Sequence, residues 1–324
     1  MAAKKTASKK FKINPWMITS IVLVILLGGF IAYDKSTGFQ NFVNDTFGIE
    51  TGPGKIGLTI VTDPFVDNPP YDISKNMDDL QIEIGREFKI ETIDINTDEG
   101  KQYLEKYKLK TIPVLFFDKK ITETDFYKEA SSFFLQQDDL YIVKLQPYKY
   151  LETPTVGDAQ YKGAAPGKGQ VTVIEYSSFT CGYCAKMSPI MDQLVEEYGD
   201  KITFAYKHFD RGGSDALIAN AAECAGDQGK FWEMHDYIMN NQALMQTKEM
   251  LDFIAEAATT VGVDAQTFNT CVQENKYAEK IKAQSAEGYE FGINGTPGFF
   301  VNDKFIGGAV EYETFKQALD TFIQ

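Results

Sequence analysis

Cys181 and Cys184 stand three apart in Phe-Thr-Cys-Gly-Tyr-Cys-Ala-Lys, directly after the strand-like run Val-Thr-Val-Ile-Glu-Tyr. At that spacing two thiols lie on adjacent turns where a strand gives way to a helix, close enough to form a disulfide. The amides of a first helical turn carry partial positive charge, which stabilises a thiolate and depresses its pKa. Cys181 is then the outer, attacking sulfur and Cys184 the inner one that resolves a mixed disulfide. Two other chemistries compete. Zinc wants four ligands, yet the chain offers only His208 and His235 and no second close cysteine pair. A structural staple over so short a loop removes little unfolded-state entropy. The residues favour a redox pair, with no metal and no cofactor.

Other residues bear on the same chemistry. Glu175 sits inside the apolar strand before the pair. A buried lone carboxylate is costly unless it works or is paired; the competing reading is a strand-end glutamate that reaches water. Cys224 and Cys271 are 47 residues apart. If Cys181 and Cys184 are the working pair, these two are left to form a structural disulfide or to remain inert buried thiols. His208 and His235 read as packing or surface residues.

The elements that must position these residues form an α/β pattern. From Lys55 a first unit runs strand (56–61), helix (Met77, Leu80, Ile84 and Phe88 at helical spacing), strand (89–95), helix (98–108), Pro113, strand, and a helix over 123–137. Residues 151–170 are rich in proline and glycine and read as a linker. A second unit, 171–324, runs strand, helix (183–198), strand (202–208), and a nearly all-helical stretch over about 214–290. The segment Gly-Thr-Pro-Gly-Phe-Phe-Val then opens strand, turn and strand, and a helix over 311–323 closes the chain. Both units enter a late apolar strand through Ile-Pro or Thr-Pro. A tandem repeat with a helical insertion in the second copy is expected.

The second unit resembles the DsbA-like branch of the thioredoxin superfamily. The resemblance rests on strand, Cys-x-x-Cys at a helix start, helical insertion and Gly-Thr-Pro before a strand, over about residues 155–324. It implies that Pro297 is a cis-proline facing the cysteines and that the Thr296 backbone pairs with an extended substrate segment. With Gly182 and Tyr183 these residues would shape the substrate surface. It also implies that Glu175 shuttles protons for Cys184. Strongly oxidising members often carry Pro-His between the cysteines; Gly182-Tyr183 here implies a milder potential. The first unit, 55–150, resembles a thioredoxin fold more weakly, with Pro113 at the matching proline. It has Thr-Asp-Pro-Phe-Val-Asp-Asn-Pro-Pro-Tyr where a Cys-x-x-Cys would stand. Without thiols, it would bind polypeptide or a partner, or act as a spacer.

Composition sets the surroundings. The chain of 324 residues has net charge −14. Five lysines crowd the first 13 residues, so the body is more acidic still. An acidic body with only two arginines, Arg86 and Arg211, repels phosphate backbones and argues against nucleic acid. Residues 1–15 read as a basic cytoplasmic tail and 16–33, uncharged over about 18 residues, as an uncleaved transmembrane anchor. A cleaved signal peptide is the alternative. Residues 34–54 read as a stalk. The body would then lie outside the cytoplasm, where disulfides persist. The expected protein is an anchored thiol-disulfide oxidoreductase acting on cysteine-containing unfolded or secreted polypeptides, reset by a redox partner. A reductase or isomerase, and a non-enzymatic binding module or chaperone, are the alternatives.

Overall fold

The computed structural model describes residues 55–323 except 67, 68 and 70. The expected tail, anchor and stalk (1–54) lie outside the described residues. Among those described, no helix is long and apolar enough to cross a membrane. The chain divides into two compact units between Leu151 and Glu152.

The first unit contains β1 (Ile56–Thr62), α1 (Ile73–Ile84), β2 (Phe88–Asp94), α2 (Asp98–Tyr107), β3 (Thr111–Phe117), α3 (Asp125–Ala130), β4 (Leu135–Gln137) and β5 (Leu140–Tyr150). Its sheet runs β2-β1-β3-β5-β4. β1 and β2 are parallel, and β3 is antiparallel to both β1 and β5. Asp72 caps α1 by accepting from the amides of Ser74 and Lys75, and Gly85 ends it in a left-handed conformation. Phe88 follows that stop. It therefore does not continue the helical stripe of Met77 and Leu80 but opens β2 and packs edge-on against Phe117.

The helix expected over 123–137 is corrected. Only 125–130 is α-helical, and 135–140 turns into the β4–β5 hairpin. Asp138, with φ of 54°, supplies the left-handed turn residue. Phe126, Tyr127 and Phe134 form an aromatic cluster, so helical spacing there reflected shared packing rather than one continuous helix.

The second unit contains β6 (Gln160–Gly163), β7 (Val171–Ser177), α4 (Gly182–Tyr198), β8 (Ile202–His208), α5 (Asp215–Gly226), α6 (Phe231–Asn240), α7 (Met250–Val261), α8 (Ala265–Gln273), α9 (Ala278–Glu290), β9 (Gly298–Val301), β10 (Lys304–Gly307) and α10 (Tyr312–Asp320). Its sheet order is β10-β9-β7-β8-β6. The 151–170 stretch is more than a linker: β6 pairs antiparallel with β8 and extends the sheet. Its glycine and proline content concealed a strand of four residues. β7 and β8 are parallel, and β7 and β9 antiparallel. The two sheets thus share one core order, and each has a cis-proline at the equivalent strand, Pro113 in β3 and Pro297 just before β9.

Alternation along β7 decides which side chains meet the cysteine helix. Val171, Val173, Glu175 and Ser177 share one face. Val171 and Val173 pack against Met187, Met191 and Leu194 of α4 and Phe315 of α10. Helices α5 to α9 form the insertion, with a separate core around Ile218, Phe231, Phe253 and Phe268 that also takes in Phe179, Cys181 and Cys184. Cys224 of α5 and Cys271 of α8 are joined in a disulfide, stitching two insertion helices.

Candidate active site

The residues Ser178–Cys181 connect β7 to α4. Cys181 occupies the cap position of α4 and Cys184 its first turn. Both are free thiols and buried, Cys181 at 3% and Cys184 at 1% exposure. The spacing read from sequence therefore places both sulfurs at the helix start.

Their environments differ. Cys181 Sγ lies 3.3 Å from the Thr296 carbonyl oxygen, a contact in which only the protonated thiol donates. Hydrogen bonding from Cys184, assisted by contacts to Thr296 and by the amides of Cys184 and Tyr183, pulls the Cys181 thiol down to about 5 against the burial that opposes it. Cys184 is pushed strongly up, first by burial, then by its bond to Cys181 and by the charge of Glu175. One proton shared between two sulfurs thus sits on the inner one. The outer sulfur is a thiolate near neutral pH.

Glu175 is 3% exposed, not a strand-end residue in water. Burial pushes its carboxyl up to about 7, against a lowering contact from Ser177 and attraction to Lys162. A carboxyl that titrates near the working pH can both take and give a proton. Tyr206 pairs with Glu175 across β7 and β8. The Ser177 and Tyr206 hydroxyls are buried beside this acid and make no direct hydrogen bond. Sequence reading passed over both, because a serine and a tyrosine in apolar strands carry no signal until register places them next to Glu175.

The remaining expected residues line the same place. The Thr296–Pro297 peptide is cis, and Thr296 presents its carbonyl to Cys181. Gly182 is exposed, and an added Cβ there would meet nothing within 4 Å. Tyr183 is 61% exposed, with the Lys186 ammonium 5.1 Å from its ring centre. The exposed residues of the Cys-x-x-Cys segment are therefore Gly182 and Tyr183, while Thr296 and Pro297 are buried. His208 and His235 are core residues. His208 bonds Glu223 at 2.8 Å, and burial holds His235 towards its neutral form. Among the described residues, no group of three or more His, Cys, Asp or Glu side chains is gathered to hold a metal ion.

Residues 165–321 match the family model described as Thioredoxin. This part of the chain is a thioredoxin-like domain. The thioredoxin-like segment is similar to part of the Na(+)/H(+) antiporter NhaA of Herminiimonas arsenicoxydans, at 26% identity over 155 residues, 48% of this chain and 24% of that protein. The chain spans about a quarter of the length of the curated relatives it matches. Among solved structures, it is similar to a thioredoxin-like oxidoreductase from Silicibacter pomeroyi DSS-3 (26% identity, 51% of this chain and 92% of that chain, TM-score 0.45). It is also similar to the thiol-disulfide exchange protein alpha-DsbA2 from Wolbachia pipientis (19% identity, 50% and 86%, TM-score 0.45).

Proposed function

We propose that this protein is a membrane-anchored, extracytoplasmic thiol-disulfide oxidoreductase that forms disulfides in secreted or unfolded polypeptides through Cys181 and Cys184. The observation that carries the reading is the asymmetry of the pair: a stabilised outer thiolate over an inner thiol held protonated beside a buried acid.

The steps balance as follows. In the oxidised protein a substrate thiolate attacks Cys181 Sγ, forming a substrate–Cys181 bond and breaking the Cys181–Cys184 bond. The Cys184 thiolate leaves and takes a proton, for which the buried Glu175, whose charge acts on Cys184, is the candidate donor. A second substrate thiolate attacks its own sulfur in the mixed disulfide and releases the Cys181 thiolate. Two electrons pass from the substrate dithiol to the protein. The stabilised thiolate is a good leaving group, which favours release of oxidised substrate. A redox partner then returns the pair to the disulfide. The exposed Gly182 and Tyr183, with the buried cis-Pro297 turn beneath them, would receive an extended substrate segment beside Thr296.

The first unit is read as a second thioredoxin-like domain that lacks thiol chemistry. Its strand order and cis-Pro113 support this. Asp63 stands just past β1, where the other unit leads into its cysteines, and Phe65 nearby is 78% exposed. An exposed phenylalanine there favours a polypeptide-binding role over that of a spacer. The anchor at 16–33 and the extracytoplasmic location rest on the sequence, and the Cys224–Cys271 bond suits such a compartment.

The test is the reduction potential of the Cys181–Cys184 pair in the full chain, equilibrated against glutathione. A value well above about −180 mV, that of protein disulfide isomerase, supports an oxidant. One near about −270 mV, that of thioredoxin, assigns a reductase instead. A pair that never equilibrates leaves only the binding-module reading.

A further inference from the structure

A helix normally begins on a side chain that accepts a hydrogen bond from its first free amides. Cys181 holds the cap position of α4 and makes no such bond by the usual side-chain route. Its sulfur is turned to the Thr296 carbonyl instead. A residue whose side chain must do chemistry is poorly placed also to fix its own backbone.

The turn is held from the helical insertion. Gln242 opens the short 3-10 turn Gln242–Gln246 that follows α6. Its Nε2 donates to the Phe179 carbonyl at 2.9 Å and to the Cys181 carbonyl at 3.0 Å. An amide nitrogen carries two hydrogens, enough for both carbonyls, and Nε2 also lies 3.8 Å from the Met239 sulfur. The Cys181 carbonyl also accepts from the Ala185 amide at 3.1 Å, the first bond of α4. On the other side Asp215, at the start of α5 and 2% exposed, accepts from the Thr180 amide at 3.3 Å and from the Arg211 amide at 3.1 Å. Between them, the Phe179 ring is buried against His235 and Tyr206.

We propose that Gln242 is a positioning residue for the Cys181 nucleophile, supported by Asp215, so that the helical insertion holds the turn that the reactive thiol does not hold itself. This rests on the redox reading above. Gln242 fixes the planes of two peptides of the turn, the one between Phe179 and Thr180 and the one between Cys181 and Gly182. The amides of Tyr183 and Cys184 can then address one sulfur position. Without that clamp the turn rocks, the amides lose aim, and the thiolate is less stabilised. The insertion is thereby part of the active site and not only a cover over it.

The test uses the full chain with Gln242→Met, which keeps an unbranched side chain of similar size and removes both donors. The second variant is Gln242→Glu, whose carboxylate would face two carbonyl oxygens. Thiolate formation is followed by ultraviolet absorbance of the reduced protein against pH, together with the rate of attack on a small aromatic disulfide. Losing the clamp is expected to raise the apparent acid constant midpoint by the equivalent of about three- to tenfold in thiolate stability, the range of one lost hydrogen bond. The attack rate falls correspondingly at mildly acidic pH, and Gln242→Glu moves further in the same direction. A midpoint unchanged in both variants, with only the melting temperature lowered, overturns the proposal and leaves Gln242 a purely structural residue. A wild-type pair that does not exchange at all overturns the redox reading itself, so the two failures are distinct. Side-chain amide exchange at Gln242 in the reduced wild type is a check that needs no variant: protected hydrogens are expected, and rapid exchange overturns the clamp.

Discussion

Glu175→Gln tests the buried acid through stability as well as chemistry. In the folded protein the carboxyl is raised from its ordinary 4.5 to about 7 by burial. The native state therefore holds this proton more tightly than the unfolded chain between those values. Stability falls as pH rises through that window, is unaffected by this group below it, and stays reduced above it. The full penalty is about 3 kcal/mol, at about 1.4 kcal/mol for each tenfold change in proton affinity. Glutamine has the same shape and no charge to desolvate. Measured on the reduced protein, the variant should lack that fall. Relative to its offset near pH 4, it should gain about 3 kcal/mol on the wild type by pH 8, or about 6–12 °C in melting temperature for a unit of this size. Cys181 titrates in both proteins, so the comparison cancels its opposite contribution. The matching kinetic result is slower formation of the mixed disulfide from the oxidised protein, because the departing Cys184 thiolate loses its proton donor. Parallel pH–stability curves for the two proteins would refute a carboxyl titrating in the core.

Cys181→Ser should abolish exchange, while Cys184→Ser should keep attack but accumulate mixed disulfides visible on non-reducing gels; full turnover in either variant removes the assigned roles. Cys224→Ser opens a loop between residues 47 apart, so it should cost about 2–4 kcal/mol in an oxidising buffer and nothing under reduction, read by denaturant melts. Asp63 is held below the usual carboxylate range mainly by its bond to Lys149. Its contribution is present above the ordinary carboxylate pKa and is lost as pH falls through the folded value. Asp63→Asn should therefore weaken the first unit by about 1 kcal/mol at neutral pH and less in acid, with exchange at Cys181 unchanged. Phe65→Ser in the full chain should reduce suppression of aggregation of an unfolded client by light scattering; equal suppression removes the binding role of that face.

Short-range patterns were legible without coordinates. Cys181 and Cys184 declare themselves because the chemistry and the helix start both lie within a few residues. The runs 56–62, 171–177 and 202–208 are apolar enough to be strands in any context. The failures have physical causes. The apolar residues of 123–137 sit at helical spacing because they share one aromatic cluster, while the turn at Asp138 redirects the chain. The strand at 160–163 is too short and polar to announce itself, and it exists because β8 offers it an edge.

The sequence by itself determined the cysteine pair, its place at a helix start, the proline before β9 and an acid in the preceding strand. All are local, since each depends on residues close along the chain or on a residue type that little else explains. Only the tertiary structure decided that Glu175 is buried, that Ser177 and Tyr206 lie beside it, and that Cys224 meets Cys271. It alone brought Gln242, 61 residues from Cys181, onto the carbonyls of the active-site turn. Those facts depend on strand register and on how five helices fold back over the sheet, and a lone glutamine or tyrosine carries no trace of its partner in its own neighbourhood.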